Sequence, residues 1–103
     1  MAGFVQIIEY RTKKADEVRA LGEEFQKTRE AAGDLPSPTR MMMCADRDNP
    51  DTYVNIVEFP SYEEAMENSN RADTSEFAAR MMELCDGPAT FHNLDLLDES
   101  TYS

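Results

Sequence analysis

The stretch Tyr53-Val54-Asn55-Ile56-Val57-Glu58-Phe59-Pro60-Ser61-Tyr62-Glu63-Glu64-Ala65 decides the fold. Its first seven residues alternate in the manner of a strand, with Tyr53, Val57 and Phe59 on one side and Val54 and Ile56 on the other. Pro60 ends the strand, and Ser61 with Glu64 has the spacing of a capping box, so a short helix begins there. Asn68-Ser69-Asn70 breaks that helix. Asp73 and Glu76 repeat the capping spacing ahead of a second apolar stripe of Phe77, Ala78, Met81, Leu84 and Cys85, which Gly87-Pro88 then terminates.

Working back from Tyr53, the turn formers Asp46-Arg47-Asp48-Asn49-Pro50-Asp51 join it to Thr39–Ala45. That segment holds Met41, Met42, Met43 and Cys44, consecutive apolar residues that must point to both faces of a sheet. The two strands form a hairpin. Further back, Leu35-Pro36-Ser37-Pro38 can only connect, because each proline lacks an amide hydrogen. Between Lys14 and Ala32, the residues Ala15, Val18, Leu21, Phe25, Thr28 and Ala32 recur at helical spacing, and Gly33 supplies the stop. Phe4–Tyr10 is a first strand, with Phe4, Gln6, Ile8 and Tyr10 on one side and Val5, Ile7 and Glu9 on the other. Phe91–Leu97 is the last strand. Residues 1–98 therefore form one domain, and 99–103 an acidic tail.

The order strand, helix, strand, strand, helix, strand is the ferredoxin-like α+β arrangement, a four-stranded antiparallel sheet with helices on one face. The other face stays apolar, with methionines on both sides of one strand. A second copy packed across a two-fold axis covers it at least cost, so a homodimer is expected.

At 103 residues the chain has room for one core. A net charge of −11 repels phosphate backbones and anionic lipid surfaces, which argues against nucleic acid and membrane partners. No uncharged stretch is long enough to span a bilayer. Met1–Gln6 lacks the basic and apolar regions of an export signal, so a cytoplasmic location is expected. Cys44 and Cys85 then read as thiols, more simply buried than bridged. The acidic turn departs from the EF-hand pattern, and the methionines lack convergent His or Cys partners, so no metal is expected.

The strand Tyr53–Phe59, the run Pro60–Ala65 and the helix Ser75-Glu76-Phe77-Ala78-Ala79-Arg80 together resemble the dimeric α/β-barrel proteins. These include antibiotic-biosynthesis monooxygenases and haem-degrading monooxygenases, and the resemblance spans nearly the whole chain. The haem-degrading members carry a histidine ligand on the helix, a tryptophan nearby and an asparagine on the first strand. Here Arg80 or Met81 stands near the ligand position, tryptophan is absent, and Glu9 lies about where the asparagine would be. The resemblance thus implies no cofactor. It implies the oxygenases that orient an electron-rich phenol or quinol toward oxygen without one, or an isomerase on a similar aromatic or polyketide-like substrate.

His92 is the one histidine, the residue type suited to proton transfer near neutrality, and Glu9 is a carboxylate within an apolar strand; these are the acid and base candidates. Asn55, central in its strand, is placed to donate to a ligand oxygen. Tyr53 and Tyr62 could line a cavity for a hydrophobic or aromatic ligand, Asn68 lies at the helical break, and Arg80 lies on the second helix. The alternative is a non-catalytic dimeric module that binds a hydrophobic metabolite or a partner protein.

Overall fold

The computed structural model describes residues 3–33 and 38–102, so the expected connector at Leu35, Pro36 and Ser37 lies outside the described residues. Four strands and three helices follow in the order β1 (Phe4–Arg11), α1 (Ala15–Ala32), β2 (Arg40–Ala45), β3 (Thr52–Phe59), α2 (Tyr62–Ser69), α3 (Ala72–Leu84) and β4 (Thr90–Asp95). The strands run in the sheet order β2-β3-β1-β4, and every neighbouring pair is antiparallel. This is the expected ferredoxin-like α+β fold.

Register fixes which side chains share a face, because alternate residues point to opposite sides. On the helix face, the rows across the sheet are Phe59–Phe4–Asp95, Met41–Val57–Gln6–Asn93, Met43–Asn55–Ile8–Phe91 and Ala45–Tyr53–Tyr10. On the open face they are Arg40–Glu58–Val5–Leu94, Met42–Ile56–Ile7–His92 and Cys44–Val54–Glu9–Thr90. The helices bury the first set. Phe4, Val57, Phe59 and Ala65 pack as one cluster under α2, and Tyr10, Val18, Leu21 and Met81 as another under α1 and α3, with Ile8 touching both.

Three local expectations need correction. Asp73 is no cap: α3 begins at Ala72 after Arg71, with no side-chain cap, and the Asp73 carboxylate is taken instead by Arg29 and Arg71. The helix also ends at Leu84, before Gly87. Cys85 is already extended, and Gly87, at φ +97, serves the turn that follows. Finally, β4 stops at Asp95. Leu96 still donates its N–H to the Gly3 carbonyl, but Leu97 is 94% exposed. Ser61, by contrast, caps α2 as expected, its hydroxyl accepting from the Glu64 N–H at 3.2 Å. Ser61→Ala should cost about 1 kcal/mol, read as a lower urea midpoint at unchanged slope.

Along α1 the expected stripe holds at Val18, Leu21 and Phe25 but then turns. Thr28 and Ala32 are exposed, and Arg29, four residues after Phe25, is buried instead. Thr28 returns its hydroxyl to the Glu24 carbonyl. Neither thiol is bridged, and Cys44 is exposed on the open face rather than buried, because the hairpin register turns it away from the helices.

Candidate functional site

On the helix face Asn55 is flanked across the sheet by Met43 and Ile8; the other polar side chains of that face, Gln6, Asn93 and Asp95, lie in the rows toward the Phe4–Phe59 end. Tyr10 lies diagonally opposite and is only 1% exposed; its hydroxyl donates to Asn55 Oδ1 at 2.9 Å. The Tyr10 ring stacks on Tyr53, with centroids 6.0 Å apart and planes 24° from parallel. Burial, with a smaller contribution from the charge of ionised Cys85, pushes the Tyr10 phenol up to about 12 despite the opposing bond to Asn55. The phenol therefore stays protonated near neutrality and can remain the donor of this pair. Burial also pushes the Cys85 thiol up.

Asn55 Nδ2 makes no hydrogen bond among the described residues. Every fully buried side-chain nitrogen and oxygen described here has a partner, so this amide nitrogen reaches accessible space. Nearby, a cleft of about 480 Å³ opens between the second half of α1 and the start of β2, lined by Phe25, Arg29, Arg40 and Met41 among others. Asn55 is not in its lining. Met41 and Met43 are successive residues on the helix face of β2, however, and Met43 stands opposite Asn55.

Arg29 forms the wall between cleft and helices. Its guanidinium donates to Asp73 (3.0 Å), Asn68 (2.6 Å) and Thr74 (2.6 Å), and lies 4.6 Å from the centre of the Phe25 ring. Hydrogen bonds from Arg29, then from Arg71, hold the Asp73 carboxyl at about 2. Sequence reasoning missed this cluster; its one trace is the four-residue step from Phe25 to Arg29.

The sequence-derived candidates divide between places. Asn55 and Tyr53 share the helix face, joined by Tyr10. His92 and Glu9 share the open face, both exposed, on the adjacent strands β4 and β1. Tyr62 is half exposed at the start of α2, edge-on to Phe4. Asn68 is committed to Arg29, and Arg80 pairs with Glu24 across α1 and α3 at an exposed position. No group of acidic, His and Cys side chains among the described residues is arranged to hold a metal. No helix among them is long and apolar enough to cross a membrane.

Neither a protein-family model nor a curated protein matches the sequence. Solved structures do match the fold. A candidate antibiotic biosynthesis monooxygenase from Caulobacter crescentus CB15 superposes with a TM-score of 0.77 at 12% identity, over 94% of this chain and 92% of that one. A conserved protein from Methanosarcina mazei Go1 gives 0.75 at 11% identity, over 91% and 92%. SnoaB, a cofactor-independent oxygenase from Streptomyces nogalater, gives 0.69 at 13% identity, over 96% and 95%. At these identities the likeness carries the fold and no particular activity: the chain has the ferredoxin-like fold of antibiotic biosynthesis monooxygenase domains.

Proposed function

We propose that the chain is a small-molecule enzyme of the dimeric barrel type, a cofactor-independent monooxygenase or isomerase acting on an electron-rich aromatic or polyketide-like substrate. The observation that carries this is Asn55, an amide donor with an accessible N–H, fixed by Tyr10 between Met43 and Ile8. Such a donor is worth more there than in water, because little solvent competes for the same oxygen. The substrate's ionised phenol oxygen accepts from Asn55, while Tyr53 and the thioethers of β2 pack against its rings. In the monooxygenase form, dioxygen attacks a methylene carbon activated by that phenolate. Both C–H bonds break, one oxygen atom becomes a C=O group, and the other leaves as water with the two hydrogens; the substrate supplies all four electrons.

His92 and Glu9 serve this site only if the substrate also reaches the open face of the sheet. Unchanged turnover in His92→Ala and Glu9→Ala would remove them from the mechanism. That open face is where the second copy packs. Val5, Ile7, Met42, Val54, Ile56 and Leu94 form a continuous apolar surface across all four strands, left uncovered by the helices.

The activity is tested by oxygen uptake with polycyclic phenols bearing an activated methylene. Turnover should raise uptake above the protein-free rate, and Asn55→Ala should lower kcat about a hundredfold, the scale of losing one oxyanion donor. Substrate conversion without oxygen uptake identifies the isomerase. The second reading, a binding module, draws on the absence of a carboxylate or histidine on the helix face of the two central strands; saturable binding with no turnover by any such compound would favour it.

A further inference from the structure

The amide of an asparagine can present either its oxygen or its nitrogen to a ligand, and the choice decides what the ligand must be. At Asn55 the choice is already made. Tyr10 is sealed under α1 and α3, stacked on Tyr53, and its hydroxyl reaches Asn55 Oδ1. A hydroxyl that gives its proton to Oδ1 holds the amide with Nδ2 outward; turning the amide over would make the Tyr10 oxygen the acceptor and leave its buried O–H without an acceptor among the described residues.

We propose that Tyr10 is a positioning residue that locks Asn55 as a pure hydrogen-bond donor, so that the site selects the ionised, acceptor-only form of a phenolic ligand over the neutral phenol. The inference rests on Asn55 being the ligand-binding group, as argued above. The titratable groups that face the pair from the packed elements are Tyr53 on β3 and Cys85 after α3, and Cys44, on the far side of β2, also acts on Tyr10 through its charge when ionised. From β2 comes Met43, from α1 Val18 and Leu21, and from α3 Phe77, Met81 and Leu84, none of which titrates. Arg29, also on α1, is engaged with Asp73. No carboxylate on the helix face of β1, β2 or β3 repels an anion at Asn55.

The test follows the ionisation of 1-naphthol, whose naphtholate has its own absorption, in the presence of saturating protein. Wild-type protein should lower the apparent pKa of the bound naphthol by about one unit, equivalent to about tenfold tighter binding of the anion than of the neutral phenol. Tyr10→Phe keeps the ring and its stack but frees the amide to turn, and should abolish most of that preference while neutral naphthol binds as before. Asn55→Asp keeps an acceptor for the Tyr10 hydroxyl but has no donor, and should reverse the preference. A merely structural role for Tyr10 would weaken both forms of the ligand equally. If Asn55→Ala titrates bound naphthol like wild type, Asn55 is not the ligand group and the proposed site falls with this inference. If Asn55→Ala loses the preference but Tyr10→Phe keeps it, only the positioning role is overturned. Should Tyr10→Phe fail to fold, Asn55→Asp decides alone: an undiminished preference for naphtholate overturns the proposal.

Discussion

Arg29→Met should lower the unfolding free energy by about 2 kcal/mol, the scale of losing the hydrogen bonds of one buried charged side chain. That is a large share of the stability of a domain this small. The Arg29 side chain is 5% exposed and ties the C-terminal half of α1 to the junction of α2 and α3. Methionine fills much of the same volume and spares the desolvation of a guanidinium, which offsets part of the loss. The acceptors it leaves behind outweigh that gain: Asn68 Oδ1, Thr74 Oγ1 and the Asp73 carboxylate stay in place at the junction. Arg71→Met should cost far less, because its pair with Asp73 is partly in solvent on both sides. Urea unfolding of the two variants measures the difference, and equal midpoints would show that Arg29 does not dock the helices.

The same pair sets an acid limb. Asp73 is held at about 2 when folded, below the ordinary carboxylate value of about 3.9, so its stabilising contribution is present above that ordinary value. As pH falls from about 4 through about 2, the contribution disappears. Arg29→Met should show a shallower loss over that window, since only Arg71 then holds the carboxylate down.

How much of this the sequence discloses depends on the distance over which a residue's fate is decided. The face of each β1 residue is local, and alternation alone puts Tyr10 with Phe4 and Ile8, and Glu9 with Val5 and Ile7. Asn55 stands out for the same reason, as an amide where its neighbours in the strand are Val54 and Ile56. The partners of Arg29 are 39 to 45 positions away, and nothing near it announces that an arginine completes an apolar stripe. Asp73 has a capping residue's spacing yet is claimed by a cation from another helix, a case of tertiary pairing overriding a local signal. His92 stands out in the sequence by its chemistry, but its face depends on the register of β4 against β1. That register sets it opposite Ile7, away from Asn55.

If the open face is the dimer interface, Ile56→Lys should weaken self-association at least about a hundredfold, equivalent to about 2.7 kcal/mol. Ile56 sits in the middle row of that face, between Met42 and Ile7, where a second copy would exclude water most completely. A lysine there must either stay charged in an apolar contact or hold the two sheets apart, and both outcomes cost association. The sign of the charge makes the test sharp. Each chain carries −11, so adding a positive charge reduces the repulsion between two copies, and weaker association cannot come from long-range electrostatics. Ala79→Lys, exposed on α3, makes the same charge change away from the open face and should leave the dimer intact or slightly tighter. Sedimentation equilibrium over micromolar concentrations reads both variants. A wild-type chain that remains monomeric throughout that range would refute packing through the open face, whereas dissociation by Ala79→Lys and not by Ile56→Lys would move the interface to the helices.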